Sequence, residues 1–124
     1  MSHHKNADVV RGMFEALGKG DMQGMATALA DDVVWHEIGN PEPVRGKAAL
    51  AARFGGARDF EITGDMHDVV SGGDHTVALM TATATRGGKT LTYRVAEIYH
   101  MKNDKIVERW AFSDDTDAIA KFFA

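Results

Sequence analysis

Hydrophobic residues in the first part of the chain recur every three or four positions, as they do on one face of an α-helix. The first such set is Val9, Val10, Met13, Phe14 and Leu17. It predicts a helix over residues 6–17. The same spacing predicts a second helix over residues 21–29, with Asp21 as its N-cap, and a third over residues 46–54.

After these segments the pattern changes to strands separated by short turns. The predicted strands cover residues 33–38, 58–70, 75–86, 89–101 and 106–112, and a closing helix over residues 115–123 follows a cap at Ser113-Asp114. A bend is expected near Gly64, and Gly87-Gly88 is typical of a two-residue hairpin turn. Three helices followed by antiparallel strands predict an α+β fold. In it, a long curved sheet forms a cone with the helices over one face and a cavity between them.

The composition narrows the range of functions. The 124 residues suit one domain over residues 1–124, and the net charge of −4 argues against binding to nucleic acid. No apolar run is long enough to span a membrane, and the N-terminus lacks the apolar core of a signal peptide, so a cytoplasmic location is expected. The absence of cysteine excludes disulfides and thiolate chemistry.

Two carboxylates interrupt predicted strands. Glu37 lies in VVWHEIG and Glu97 lies in YRVAEIYHM. By strand alternation Glu37 shares a face with Trp35, and Glu97 shares a face with Tyr93 and Tyr99. Because an ionised carboxylate is costly to bury without partners, two such residues in one cavity would indicate acid–base chemistry.

Four stretches of the chain resemble a known family. They are ALGKGDMQGMATALADDVVWHEIG, RGKAAL, MHDVVSGGDHTVAL and NDKIVERWAF. Together they are similar to the SnoaL-like members of the nuclear transport factor 2 superfamily, which also contains ketosteroid isomerase. The resemblance implies a curved antiparallel sheet wrapped by N-terminal helices, a pocket between them, and a homodimer formed through the outer face of the sheet. It does not fix the reaction, because this fold carries many chemistries.

The resemblance also assigns roles to the two acids. Glu37 aligns with the general-base aspartate of ketosteroid isomerases, and Glu97 aligns with their protonated oxyanion-hole aspartate. The tyrosine of that oxyanion hole is replaced near Met13, so steroid isomerisation is not favoured, and Tyr93 or Tyr99 is the alternative donor. SnoaL-like members often have histidine at the position of Glu97. No equivalent of the Asp-Arg-Asp set of limonene-epoxide hydrolases is found.

Simpler interpretations of the charged residues stay open. Glu37 could reach solvent or pair with Arg45, and Glu97 could form a cross-strand ion pair with an arginine such as Arg109. Alternatively, Glu97 could hold His36. His36 could move protons near neutral pH, although alternation directs it away from Glu37 unless a bulge intervenes.

The expected pocket wall is largely aromatic. Its candidate residues are Trp35, Tyr99, Trp110, Phe112, Met13, Phe14, Phe54 and Tyr93. Trp110 and Phe112 share one parity on the last strand and are expected to face the cavity or core. No metal site and no cofactor are expected, because the histidines show no ligand spacing and no glycine-rich phosphate loop is present.

These features lead to three hypotheses for the function. The first is a cofactor-independent isomerase or cyclase that abstracts a proton next to the carbonyl of a small hydrophobic molecule, with Glu37, Glu97 and His36 as catalytic candidates. The second is a non-catalytic module that binds a small hydrophobic molecule. The third is a hydrolase in which His36 or Glu37 activates water.

Overall fold

The computed structural model describes residues 2–55 and 59–124. The helices are α1 (Ser2–Gly18), α2 (Met22–Thr27), α3 (Lys47–Gly55) and α4 (Thr116–Phe123). The strands are β1 (Leu29–Trp35), β2 (Val44–Arg45), β3 (Phe60–Gly72), β4 (His75–Arg86), β5 (Lys89–Lys102) and β6 (Lys105–Ser113). This confirms the α+β class, with helices at the N-terminus and a short helix after the last strand.

The six strands form one curved sheet that does not close into a barrel. Their order is β2-β1-β6-β5-β4-β3. Neighbouring strands are antiparallel except for β1 and β6, which run parallel. The long hairpin of β4 and β5 turns at Gly87 and Gly88, whose φ angles of 57° and 78° favour glycine. The predicted hairpin is therefore confirmed.

The core lies between the helices and the inner face of the sheet. Val10 and Met13 of α1 are buried there, together with Val33 of β1 and Ile106 of β6. Along β4 the even-numbered residues from Thr76 to Ala84 are buried, because strand alternation turns them toward the helices. The core thus occupies one face of the sheet, and the odd-numbered residues of β4 form the other face.

Several predicted boundaries were wrong, among them the end of α2 and both ends of β1, and hydrogen bonds explain where α2 ends and where β1 begins. Helix α2 is correctly capped by Asp21, which accepts a hydrogen bond from the Gly24 N–H at 2.9 Å, but the helix ends at Thr27. The carbonyl of Ala28 accepts the Ile106 N–H at 2.8 Å, which starts β1 at Leu29 beside β6. The N-cap of α4 is Asp115, the residue after the predicted pair. The two-residue strand β2 was not predicted.

The irregularity in β3 also differs from the prediction. The register between β3 and β4 shifts between Met66 and Asp68, whereas Gly64 pairs regularly with Ala82. His67 lies in this bulge and hydrogen-bonds the Thr81 hydroxyl at 2.7 Å. Residue 58, where this strand was expected to begin, lies outside the described residues. Among the residues that the structure describes, no helix is both long and apolar enough to cross a membrane.

Candidate functional site

An open cavity of about 790 Å³ lies between the sheet, α3 and α4. Its apolar wall consists of Trp35, Ile38, Ala52, Phe54, Phe60, Ile62, Ile119, Ala120 and Phe123. Its polar and charged wall includes Glu37, Asn40, Arg53, Asp59, Tyr93 and Arg109. A cavity of this size with a few convergent polar groups in an apolar wall is typical of a small-molecule site.

A buried charged network lies at the inner end of this cavity. The guanidinium of Arg109 contacts both oxygens of Glu97, with Nη2 3.0 Å from Oε2 and Nε 3.2 Å from Oε1. The hydroxyl of Tyr99 donates a further hydrogen bond to Glu97 Oε1. Since Glu97 accepts from all of these donors, it acts in this network as a carboxylate.

Burial and charge set the protonation of this network. Burial raises the pKa of Tyr99 well above its ordinary value, and the negative charge of Glu97 raises it further. Burial on its own would lower the pKa of Arg109, but the charge of Glu97 and the hydrogen bonds to Glu97 and Tyr99 raise the pKa above the ordinary value. Tyr99 therefore stays a neutral donor and Arg109 stays a cation.

Arg109 is held in one orientation from three sides. Its Nη1 donates to the carbonyl of His36 at 2.7 Å, and its guanidinium carbon lies 4.7 Å from the centre of the Trp35 ring. A guanidinium has five N–H groups. Glu97 takes one from Nε and one from Nη2, and His36 takes one from Nη1. Tyr99 is a further hydrogen-bond partner, so one N–H group remains on a side chain that lines the cavity.

Tyr93 provides a second donor in the cavity wall. The residue is 9% exposed, and its hydroxyl forms no hydrogen bond with any residue in the described part of the chain. Burial raises the pKa of Tyr93, the charge of Glu97 raises it further, and the charge of Arg109 opposes both. A neutral phenol next to a fixed guanidinium can donate to an oxygen atom of a bound ligand.

Glu37 forms a second ion pair nearer to solvent. It follows the end of β1, and its partner Arg53 lies in the last turn of α3. Arg53 Nε is 2.7 Å from Glu37 Oε2, and Arg53 Nη2 is 2.7 Å from Glu37 Oε1. Asn40 Nδ2 also donates to Oε1 at 3.4 Å. The partner considered from the sequence, Arg45, is not the one that the structure shows.

The structure brings some of the predicted residues together and separates others. Four of them line the cavity: Trp35, Glu37, Phe54 and Tyr93. Three lie behind its wall: Glu97, Tyr99 and Phe14, whose ring packs edge-on against Tyr99 at 6.3 Å. Met13, also expected in the pocket wall, is 1% exposed and packs in the core instead.

The prediction that Trp110 and Phe112 face the cavity was wrong. Arg109 points inward on β6, so by strand alternation Trp110 and Phe112 lie on the outer face of the sheet. Phe112 is 60% exposed there. His36 also lies on that face. Its ring stacks on Trp110 at 5.9 Å, and its Nε2 is 2.6 Å from Glu108 Oε2. Alternation after Trp35 is therefore maintained, and His36 is held by Glu108 rather than by Glu97.

Two cavity arginines were not identified as site residues from the sequence. Arg109 was considered only as an ion-pair partner, although its parity on β6 is the signal that places it inside. Arg53 lies sixteen positions from Glu37 on a different element, so no sequence spacing links the two. Within the described residues, no group of three or more His, Cys, Asp or Glu side chains could hold a metal ion.

Comparisons with known proteins agree with this fold. A family model of a SnoaL-like domain matches residues 10–109. An uncharacterised protein of Mycobacterium tuberculosis is 29% identical over 138 aligned residues, which cover 100% of both chains. A protein encoded by a soil-derived mobile gene cassette has a structure that superposes with a TM-score of 0.89 at 23% identity, with 100% of both chains covered.

Solved structures with this fold carry different chemistries. A limonene-epoxide-hydrolase-like enzyme of M. tuberculosis has a TM-score of 0.83 at 18% identity, covering 96% of this chain and 90% of that one. A candidate polyketide cyclase of Xanthomonas campestris has a TM-score of 0.78 at 19% identity, covering 97% of this chain and 98% of that one. A candidate ketosteroid isomerase of Kribbella flavida has a TM-score of 0.72 at 16% identity, covering 91% of this chain and 80% of that one. At such identities the likeness shows the fold alone.

The two tyrosines of the chain should resist ionisation while the protein is folded. Both native pKa values lie above the unfolded value of about 10, so folding favours the neutral phenols. Their contribution to stability is complete below that pH and is lost as the pH rises through the native values. In an alkaline titration, tyrosinate absorbance should therefore rise together with unfolding, measured by circular dichroism. Ionisation of both tyrosines near pH 10 in a folded protein would contradict this.

Breaking the buried pair should cost more stability than replacing it. Arg109→Met leaves the Glu97 charge buried without its partner and should lower the free energy of unfolding by about 3–5 kcal/mol. Adding Glu97→Gln removes that charge and retains an acceptor for Tyr99, so the double variant should recover much of the loss. Urea unfolding of the wild type and both variants measures this. A double variant as unstable as Arg109→Met would contradict it.

Proposed function

Since the chain belongs to the SnoaL-like domain family, we propose that it is a cofactor-independent enzyme that abstracts and returns a proton next to the carbonyl of a small hydrophobic substrate. The observation that carries the proposal is the content of one cavity. A carboxylate, Glu37, and two hydrogen-bond donors, Tyr93 and Arg109, line the same mostly apolar space. Proton abstraction next to a carbonyl needs this combination of a base and oxyanion donors.

Glu37 is the proposed base. Its carboxylate takes the proton from the carbon next to the carbonyl, and the electron pair of the broken C–H bond forms the double bond of an enolate. The carboxylic acid then returns the proton, to another carbon in an isomerase. In an aldol-type cyclase the enolate carbon instead attacks a second carbonyl of the same molecule, and the proton goes to the oxygen of that carbonyl.

Tyr93 and Arg109 are the proposed donors to the enolate oxygen. Glu97 does not take this role, because its oxygens already accept hydrogen bonds from Tyr99 and Arg109. It is instead a positioning residue that fixes Arg109 below the cavity. Donors that are oriented before the reaction need no reorganisation when negative charge develops, which is why such groups lower barriers effectively.

A non-catalytic binding module is the second candidate, and the ion pair of Glu37 favours it. Arg53 contacts both carboxylate oxygens, so one lone pair on each oxygen of Glu37 is already engaged in this arrangement. The cavity would then bind a hydrophobic molecule, with its charged groups serving orientation alone. Hydrolysis by activated water is a third candidate. In such a hydrolase only Glu37 of the two predicted bases could activate the water, because His36 lies on the opposite face of the sheet.

Proton abstraction can be tested before the natural substrate is known. Phenylacetone is an apolar ketone with exchangeable protons next to its carbonyl. In D₂O the wild-type protein should accelerate the loss of these proton signals in NMR spectra beyond the buffer rate. Glu37→Gln should lower the protein-dependent rate by about 10²-fold or more, because a positioned base contributes that much.

Glu42→Gln is the matched control for this experiment. Glu42 is exposed in the loop that follows Glu37 and does not line the cavity, so its variant should retain the wild-type rate. Equal rates for Glu37→Gln and wild type would exclude Glu37 as the base. Saturable binding of phenylacetone without exchange above buffer would favour the binding module.

We also propose that the chain forms a homodimer through the outer face of the sheet. Three exposed apolar residues lie on that face, namely Val70, Leu79 and Phe112, with exposed fractions of 50%, 42% and 60%. They lie on three different strands and flank Trp110. A contiguous apolar surface on a sheet face is typical of an interface between protein subunits.

A charge in the middle of this face should prevent association. Phe112→Glu places a carboxylate where two apolar faces would meet, so its molar mass in light scattering should be that of one chain. The wild type should have twice that mass. Gln23→Glu adds the same charge on the exposed side of α2 and should remain dimeric. A monomeric wild type, or a dimeric Phe112→Glu variant, would overturn the proposal.

A further inference from the structure

We infer that the substrate of this cavity carries a carboxylate that binds Arg53 and thereby releases Glu37. This inference rests on the proposed function and names the substrate class, a hydrophobic oxo acid. The geometry points to it because the proposed base and the cavity cation nearest to solvent are bound to each other. A ligand that takes one of them sets the other free.

The pair engages both oxygens of Glu37. Arg53 Nε and Nη2 each lie 2.7 Å from a different oxygen of Glu37, so the guanidinium covers the carboxylate edge on which a proton would be taken up. Asn40 adds a weaker contact to one of these oxygens at 3.4 Å. For Glu37 to take up a proton on this edge, Arg53 has to turn away, and its charge then needs another partner.

Arg53 is able to make that exchange. Its side chain is 55% exposed, so water screens the pair and solvates the guanidinium while it reorients. Glu37 is 23% exposed and lies in the loop after β1, so a movement of the Arg53 side chain does not require α3 to move. The planar guanidinium group binds a carboxylate through two parallel hydrogen bonds. A ligand carboxylate can therefore make the same two hydrogen bonds to Arg53 that Glu37 makes.

The other cavity cation does not suit this role. Arg109 is 9% exposed, and both the Glu97 carboxylate and the His36 carbonyl hold it in place. Its charge is already compensated within the protein, which leaves its remaining N–H group for a neutral or partly charged oxygen. The carboxylate Asp59, which also lines the cavity, is paired with Arg86 at 3.0 Å. Arg53 is thus the cavity cation that a ligand can recruit.

The rest of the wall defines the body of the ligand. Trp35 and Phe54 pack edge-on at 5.9 Å on one side, and Phe60 and Phe123 pack at 4.9 Å on another. These rings favour an aromatic or aliphatic body over a sugar or a nucleotide. A molecule with such a body, a carboxylate at Arg53 and a carbonyl at Tyr93 and Arg109 would leave Glu37 facing the carbon between them.

Binding of two matched probes tests the carboxylate without requiring turnover. Hydrocinnamate and hydrocinnamamide have the same shape, but only the first is an anion. NMR-monitored titrations should give an affinity for the acid about tenfold higher than for the amide, as expected for a charge-assisted pair. Arg53→Gln should abolish the preference. Arg45→Gln, which removes the same charge from an exposed residue outside the cavity, should retain it.

Glu37→Gln gives a signature that general charge effects do not. Since Glu37 competes for Arg53, its removal should tighten binding of the acid by roughly threefold, the scale of a weak exposed pair, and leave the amide unchanged. In the Arg53→Gln background this gain should disappear. A gain that is as large or larger without Arg53 would indicate simple repulsion by Glu37 and would overturn the inference.

The two proposals fail separately. An acid preference that needs Arg53, with no exchange of phenylacetone protons, would support the carboxylate site and contradict the enzyme. Exchange that needs Glu37, with an acid preference unaffected by Arg53→Gln or with no preference at all, would support the enzyme and overturn the carboxylate site. Because binding is measured on folded variants by their NMR spectra, loss of structure is recognised directly.

Discussion

The ion pair between Glu97 and Arg109 is the interaction on which the site depends. It connects neighbouring strands β5 and β6, and through the His36 carbonyl it also holds the end of β1 where that strand runs parallel to β6. Two charged groups that are removed from water destabilise the folded state unless their hydrogen-bonding groups all have partners. Tyr99 and His36 supply the missing partners, and no side-chain N or O atom that is fully buried among the described residues lacks one.

This network explains why a charged residue occupies an inward position on β6. A purely apolar side chain at Arg109 would pack against Trp35 without the cost of desolvation. The guanidinium stacks on that ring instead and leaves an N–H group for the cavity. The charge is fixed by Glu97, whose own position on β5 is set by alternation with Tyr93 and Tyr99. The network therefore places a rigid cation at the end of an apolar space.

The sequence predicts the elements well because spacing and turn residues are local signals. The strand His75–Arg86 and its Gly87-Gly88 turn were predicted with their observed limits. The sequence predicts less of the site, because the face of a strand that points into the core depends on packing partners far along the chain. On β6, the rule that apolar residues point inward fails for Trp110 and Phe112. Arg109 pairs with Glu97 on the inner face, and the outer face carries exposed apolar residues of its own, among them Phe112.

The two arginine–carboxylate pairs of the cavity are alike in chemistry and different in environment. The pair of Glu97 and Arg109 is nearly excluded from water, so exchanging either partner would leave an unpaired charge in the core. The pair of Glu37 and Arg53 is near the opening, where solvent makes exchange inexpensive. An enzyme that forms an enolate benefits from donors that do not move and from a base whose paired edge is freed when its ligand binds. Burial alone is sufficient to give two chemically similar pairs these opposite properties.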